Sequence, residues 1–372
     1  MPNEAAIEDD AREVLRALAL RKNVILSGPP GTGKSRLLNQ VRDLFQWKQD
    51  KVGGSLTGRI SIPAATSPLP DWFPSPLRTN SRHVYPTVFD QNTKYRDFMR
   101  GLVPKIGSPG EFAVTAGTFY RAAIDARQAG SAALVIIDEI NRGPAVAAFG
   151  SALVGLEPDK RSGPNGEVGA TTQEFEILGD SGASQLFTLP PDLYILASMN
   201  EADTSVEPLD VAFLRRFHTY RLEPESKVLR AHLGLPAAPT AEPLPRSPGS
   251  PTDWYEALSR AFIKVSDQIL LGRGQAYQLG HGALMHTPAP QSDLGAAAEY
   301  VSTAWTTLRA HLDEVFFGNS RAMADILAGE RSGSPYTLTE ASFAGQTVRR
   351  LTGPSHLDDN QLYKLLTLIS AP

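Results

Sequence analysis

Apolar positions fall into two alternating patterns over the first two thirds of the chain and one pattern thereafter. Ile7, Ala11, Val14, Leu15, Leu18 and Leu20 recur at helical spacing and predict a lead-in helix. The continuous run Val24, Ile25, Leu26 follows as a short buried strand, then a glycine-rich break and a helix over Lys34–Phe45. His83–Phe89 alternates enough for a strand, Tyr95, Phe98, Met99 and Leu102 continue on a short helix ending near Pro104, and 117–128 predicts a second helix. Ser131–Glu139, SAALVIIDE, has the unbroken apolar character of a central parallel strand. Residues 175–195 predict a hairpin with a Gly-Ser turn, overlapping a strand over Leu193–Ser198 that ends at Met199 and Asn200. Beyond it, 254–266, 295–317 and 360–368 carry helical periodicity with no clear sheet. Strands alternating with helices, followed by helices alone, predict an α/β domain and a mostly helical second domain.

The interruptions set the boundaries. Residues 53–81 are rich in Gly, Pro, Ser and Thr, with Trp72 and Phe73 among prolines, and predict an irregular insertion. A Pro, Ala and Ser rich stretch over 235–252 predicts a linker. The expected division is thus a nucleotide-binding domain over 1–234, the linker, and a helical lid over 253–372.

Composition narrows the chemistry. At 372 residues, 41% of them hydrophobic, the chain can bury substantial cores. A formal charge of −4 supplies no global field toward nucleic acid or an acidic membrane surface, so DNA contact has to be local or borrowed. The absence of cysteine excludes disulfides and thiolate-bound zinc, and the seven histidines show no paired metal-ligand spacing. The N-terminus is acidic where a secretory signal is basic and then apolar, and no run approaches a membrane span. A cytoplasmic protein without membrane association is the expectation.

The glycine break reads GPPGTGKS, Gly28 to Ser35, two glycines, a lysine and a hydroxyl residue at phosphate-loop spacing between a strand and a helix. In that context backbone N–H groups around Gly31 and Gly33 cradle a β-phosphate, the helix N-terminus adds its positive end, Lys34 bridges the β- and γ-phosphates and Ser35 ligates Mg²⁺. The bland alternative is a tight Gly-Pro turn beside an exposed lysine. Asp138 and Glu139 end the SAALVIIDE strand. The expectation is that Asp138 holds Mg²⁺ through water and Glu139 activates the attacking water. Asn200, at a strand tip, suits a group that holds that water. Arg215 and Arg216 come after the last of these strands, where a guanidinium serves a neighbouring subunit's site more readily than its own. Taken alone, such a pair is more often solvated surface.

GPPGTGKS, DEINRG (138–143), MNEAD (199–203) and LRRF (214–217) together resemble the AAA+ ATPase superfamily, and within it the McrB family of restriction-system GTPases. YRDFMRGLVP (95–104), DEINRGPAVAAFGSALVGLEPDKR (138–161), YQLGHG (277–282) and HLDEVFFGN (311–319) favour McrB specifically, and the resemblance runs from about Ile7 to Leu327. It implies a three-layer αβα AAA+ domain followed by an all-helical lid. It also implies a hexameric ring hydrolysing GTP or ATP with Mg²⁺ at subunit interfaces. The implied nucleotide contacts are Gly28, Pro29, Pro30, Gly31, Thr32, Gly33, Lys34, Ser35 and Arg36. Asn200 and Asp203 form the implied signature pair near the lytic water, Arg215 or Arg216 the finger supplied across an interface, and Asn141 and Arg142 lie behind the acids. His281 matches a lid position where a histidine more often packs or caps. The family signature is written MNTADRS, and here Glu201 and Thr204 replace its Thr and Arg. The family implies a McrC-like partner that stimulates hydrolysis and carries a nuclease. With the motor beginning within the first 25 residues, DNA is expected to be reached through partner subunits. The alternatives are a MoxR-like chaperone ATPase remodelling a protein client, against which the YRDF and FFGN phrases argue, and a scaffold with feeble turnover, against which Lys34, Asp138 and Glu139 argue.

Overall fold

The structure is a computed structural model describing residues 8–46, 48–49, 61–62, 70–75, 81–202 and 209–371. Ile7, most of the insertion expected over 53–81, and Asp203 lie outside the described residues.

Contacts divide the chain into two compact units, one of 1–27 with 34–221, the other of 28–33 with 222–372. In the first, helix α1 (Asp9–Arg21) opens with Asp9 and Asp10 and closes with Arg21, charges that complement its dipole. It buries Ala11, Val14, Leu15 and Leu18 on one stripe. Lys22, at φ 66°, ends it and turns the chain into strand β1 (Asn23–Gly28), buried throughout. Helix α2 (Lys34–Phe45) follows the glycine loop and buries Leu37, Leu38, Val41, Leu44 and Phe45. The remaining sheet strands are β2 (Ser81–Val88), β3 (Ser131–Asp138), β4 (Leu193–Asn200) and β5 (His218–Arg221), giving the order β5-β1-β4-β3-β2. The β1/β5, β4/β3 and β2/β3 pairs are parallel.

Both faces of the sheet are covered, as a parallel sheet requires. Ala133, Val135 and Ile137 of β3 and Leu193, Ile195 and Ala197 of β4 form one core with Phe119, Ala122, Ala123 and Ala126 of helix α3 (Thr118–Ala126). The alternate residues Leu134, Ile136, Tyr194 and Leu196 are buried on the other face, where α1 and α2 contact β4. This is the α/β nucleotide-domain architecture expected. Parallel strands carry Gly28, Asp138 and Asn200 to one end of the sheet, where a ligand crevice forms in open α/β sheets.

One local expectation fails. The helix from Tyr95 stops at Phe98, and Arg100–Pro104 instead pairs antiparallel with Phe112–Ala116, Leu102 opposite Val114. Gly101 and Pro104 break helical continuation, while Val103 and Leu102 suit a pleated ribbon. The expected hairpin is present as Phe175–Leu178 with Ser184–Phe187.

The second unit is built on helices α4 (Pro251–Arg273), α5 (Leu294–Val315) and α6 (Asp359–Ser370), whose cluster includes Trp254, Phe262, Trp305, Leu308, Leu362 and Leu366. Ser250 with Asp253, and Asp358 with Gln361, form capping boxes at α4 and α6. Arg230, fully buried, donates to Glu256 at 2.9 Å and to the carbonyls of Pro236 and Ala238, which pins the proline-rich stretch against α4. The expectation of an all-helical lid needs one correction. Thr337–Phe343 and Gln346–Thr352 form an antiparallel hairpin around Ala344 and Gly345, both at positive φ. It is exposed along almost its whole length, so neither strand carries the apolar alternation that marks a half-buried strand. Among the described residues no helix is long and apolar enough to cross a membrane.

Candidate nucleotide-binding site

The glycine loop packs within the second unit. Thr32 Oγ1 donates to the Pro29 carbonyl at 2.9 Å, closing the loop on itself. The Gly280 and Gly282 N–H groups donate to the carbonyls of Pro30 and Gly31 at 2.7 and 2.8 Å. These bonds hold the carbonyls of Pro29, Pro30 and Gly31 in place. A Cβ on Gly280 would lie 2.0 Å from the Gly31 carbonyl carbon, so only glycine permits this approach. Gly28, at φ 146°, likewise has no room for a side chain against the Leu222 carbonyl. His281 Nδ1 accepts the Glu225 N–H at 3.1 Å, a capping contact.

The charged groups gather in the first unit. Lys34, first residue of α2, is 8% exposed. Burial pushes its ammonium down to about 8, opposed by the charges of Glu201, Asp138 and Glu139 in that order. Ser35 and Asp138 line one cavity of about 250 Å³ with Leu38, Asn39, Arg42 and Thr87. A hydroxyl and a carboxylate are hard oxygen donors, and this pair fits Mg²⁺ with water completing the shell. Among the described residues no cluster of three or more His, Cys, Asp or Glu that could hold a metal ion is present.

Ser198 organises the acids. Its hydroxyl donates to Asp138 and accepts the Glu139 N–H at 3.0 Å. Glu139 takes a left-handed conformation, φ 54° and ψ 49°, which a non-glycine residue adopts at a cost and which recurs at functional sites. It pairs with Arg142 at 2.9 Å, both side chains partly exposed. Asn141 donates to the Asn200 carbonyl at 2.9 Å and so joins the end of β3 to the tip of β4. Glu201, next along, accepts from Ser27 and from Arg221, the latter at 2.7 and 3.1 Å.

Of the residues singled out from sequence, Lys34, Asp138 and Glu139 are thus brought within electrostatic reach of one another, with Ser35 beside Asp138 and Asn200 joined through Asn141. Arg36 lies on the exposed side of α2 and pairs with Glu8 at 2.6 Å. Arg215 and Arg216 line a different cavity, of about 490 Å³, with Arg21, Glu157, Asp159 and His218, and it shares no lining residue with the Ser35–Asp138 cavity. Arg216 is engaged, its Nε on the Leu153 carbonyl at 3.0 Å and its Nη1 on the Ala212 carbonyl, while Arg215 is exposed. Sequence reasoning missed Ser198 and Arg221. A serine two places before Asn200 in an otherwise apolar strand was a usable signal; nothing local marked Arg221.

Residues 18–149 match the AAA domain family. The chain is 31% identical over 219 residues to the type IV methyl-directed restriction enzyme EcoKMcrB subunit of Escherichia coli K12, covering 58% of this chain and 39% of that protein. It is 29% identical over 221 residues to the type II restriction enzyme BsuMI component YdiS of Bacillus subtilis 168, covering 57% and 60%. The match thus spans less than two thirds of either relative. Among solved structures, NtrX from Brucella abortus aligns at a TM-score of 0.34 and 13% identity over 83% of this chain and 50% of that one, too loosely to place residues. Residues 18–149 thus match an AAA domain, and spans of 219 and 221 residues are similar at about 30% identity to subunits of two restriction enzymes.

Proposed function

We propose that the chain binds and hydrolyses a nucleoside triphosphate, GTP or ATP, as a motor subunit of a restriction system. The observation that carries this reading is the single hydroxyl of Ser198 holding Asp138 and Glu139 together beside the buried Lys34. Loop N–H groups and Lys34 bind the phosphates. Mg²⁺, held by Ser35 and through water by Asp138, would neutralise charge on the phosphate oxygens. Glu139 takes a proton from a water whose oxygen attacks the γ-phosphorus as the bond to the β–γ bridging oxygen breaks, releasing the nucleoside diphosphate and inorganic phosphate. Arg142 orients Glu139, and Asn200 positions the water, with Asp203 as its expected companion.

The same reading makes the chain one subunit of a ring, proposed as a hexamer, in which Arg215 reaches a neighbour's nucleotide. Its exposure and the engagement of Arg216 favour Arg215 for this role. In turn the ring drives or activates a McrC-like nuclease partner, DNA being contacted through partner subunits. Both curated relatives are restriction-system components, so the chaperone alternative is not carried forward.

The test is a set of three variants. Glu139→Gln is expected to bind nucleotide and lose at least about 10²-fold in turnover, in line with loss of a general base. Lys34→Ala is expected to weaken binding itself. Arg215→Ala is expected to bind normally and regain partial turnover when mixed with Lys34→Ala, since a mixed interface pairs an intact loop with an intact arginine. Wild-type turnover in Glu139→Gln overturns the chemistry; mixed rings as inactive as the separate variants overturn the shared site.

A further inference from the structure

Glu201 stands at the tip of β4, beside β1, with Arg221 at the end of β5 on the far side of β1. Ser27 and Arg221 are register partners on β1 and β5. The Glu201 carboxylate therefore reaches across β1, taking the Ser27 hydroxyl and both terminal nitrogens of Arg221, 2.7 Å to Oε2 and 3.1 Å to Oε1. This two-point fork is the strong form of a charge-assisted pair. It spans the ends of β4, β1 and β5, and Ser27 on β1 stands one residue before Gly28, where the glycine loop begins.

A clasp of strand ends alone would need no charge near the phosphate-binding lysine. Of the carboxylates whose charge acts on Lys34, however, Glu201 acts more strongly than Asp138 or Glu139. The nucleotide's phosphates carry the same sign as this carboxylate and seek the same ammonium. We propose that Glu201 is a positioning and affinity-setting residue for the nucleotide: an internal anion, partly neutralised by Arg221, with which the terminal phosphates compete for Lys34. Arg221 is the counterweight. It keeps the carboxylate turned toward β5, and its own charge offsets the repulsion the phosphates meet. The inference rests on the proposed nucleotide binding and adds to it the residue pair that tunes its strength.

The roles give opposite signs to the two substitutions. Glu201→Gln keeps an oxygen for Ser27 and Arg221 while removing the charge, so GTP and ATP should each bind tighter, by about fivefold for a partly neutralised charge at an effective dielectric near that of a protein surface. Arg221→Gln leaves the carboxylate uncompensated and should loosen both by a similar factor, and the double variant should return to within about twofold of wild type, the signature of coupled sites. A clasp that only holds strand ends predicts something else: both single variants loosen binding and lower the melting temperature together.

Equilibrium titration of each variant with fluorescent GTP and ATP analogues, alongside thermal melts, decides between them. Tighter binding by Glu201→Gln with looser binding by Arg221→Gln supports the proposal. Unchanged or weaker binding by Glu201→Gln overturns it. Arg221 is about one third exposed at its side chain, and wild-type affinity in Arg221→Gln overturns the proposal even if Glu201→Gln fails to fold. A wild-type chain that binds neither nucleotide overturns the underlying functional reading instead.

Discussion

Ser198 and Asp138 face each other at the ends of two parallel strands, and the serine hydroxyl that donates to the Asp138 carboxylate also receives the Glu139 N–H. The register places them so, because Ala197 pairs with Ile137, each one residue earlier on its strand. Ser198 is 2% exposed, so no solvent replaces it. Ser198→Ala should lower turnover about tenfold by loosening both acids, leave nucleotide affinity within about twofold, and cost about 1 kcal/mol of stability for the lost hydrogen bonds. Steady-state kinetics with a binding titration check this, and unchanged turnover would remove Ser198 from the site.

The Gly280 contact yields a prediction on binding alone. Adding one methyl at Gly280 places it 2.0 Å from the Gly31 carbonyl carbon and 2.2 Å from the Thr32 nitrogen, backbone atoms that cannot step aside without moving the loop. Gly280→Ala should therefore weaken nucleotide binding by about tenfold or more, since misplaced N–H groups lose their charge-assisted bonds to phosphate. Calorimetric titration measures it. Wild-type affinity would mean the loop relaxes freely around the added carbon.

The two adjacent arginines should separate on stability. Arg216 donates to the carbonyls of Leu153 and Ala212, and its own carbonyl accepts from Asn23 at 3.0 Å. Arg216→Ala removes two hydrogen bonds to backbone carbonyls and should cost about 1–2 kcal/mol, whereas Arg215→Ala, at an exposed position, should change stability by no more than about 0.5 kcal/mol. Urea unfolding of both variants distinguishes them, and equal losses would refute the division of labour between the two residues.

Lys22 predicts a pH dependence. Burial pushes its ammonium down to about 8, the Arg161 charge adds to the shift, and Asp192 opposes it. The amine donates to the Tyr194 hydroxyl at 3.1 Å. Between about pH 8 and 10.5 the folded chain has released this proton while the unfolded chain still holds it. The unfolded state then binds more protons, and this group's contribution to stability rises with pH across that window. Below it, holding Lys22 charged costs stability. Lys22→Met should remove that slope, a difference of about 1–2 kcal/mol between pH 8 and 10 after discounting for partial exposure, read from denaturant midpoints of the two proteins. Parallel pH profiles would show that Lys22 titrates normally.

The sequence by itself determined the parts whose instructions are local. Val24–Leu26 running into GPPGTGKS and then Lys34–Phe45 specifies strand, loop and helix through burial, glycine freedom and helical periodicity, each readable within a dozen residues. SAALVIIDE likewise announces a buried strand that ends in acids. Where local instructions were weak the reading failed: Arg100–Pro104 joins a ribbon because Phe112–Ala116 lies opposite, and the exposed Thr337–Thr352 hairpin has no apolar face to reveal it. Which groups meet was decided only by tertiary structure. Ser198 reaches Asp138 across 60 positions, Glu201 finds Arg221 across 20, and Gly280 touches a loop some 250 residues earlier. Strand order and register bring the first two pairs together, and packing within the second unit brings the third. Hydrogen bonds and charge pairs act over a few ångströms of space whatever the separation in sequence, so no local pattern records them.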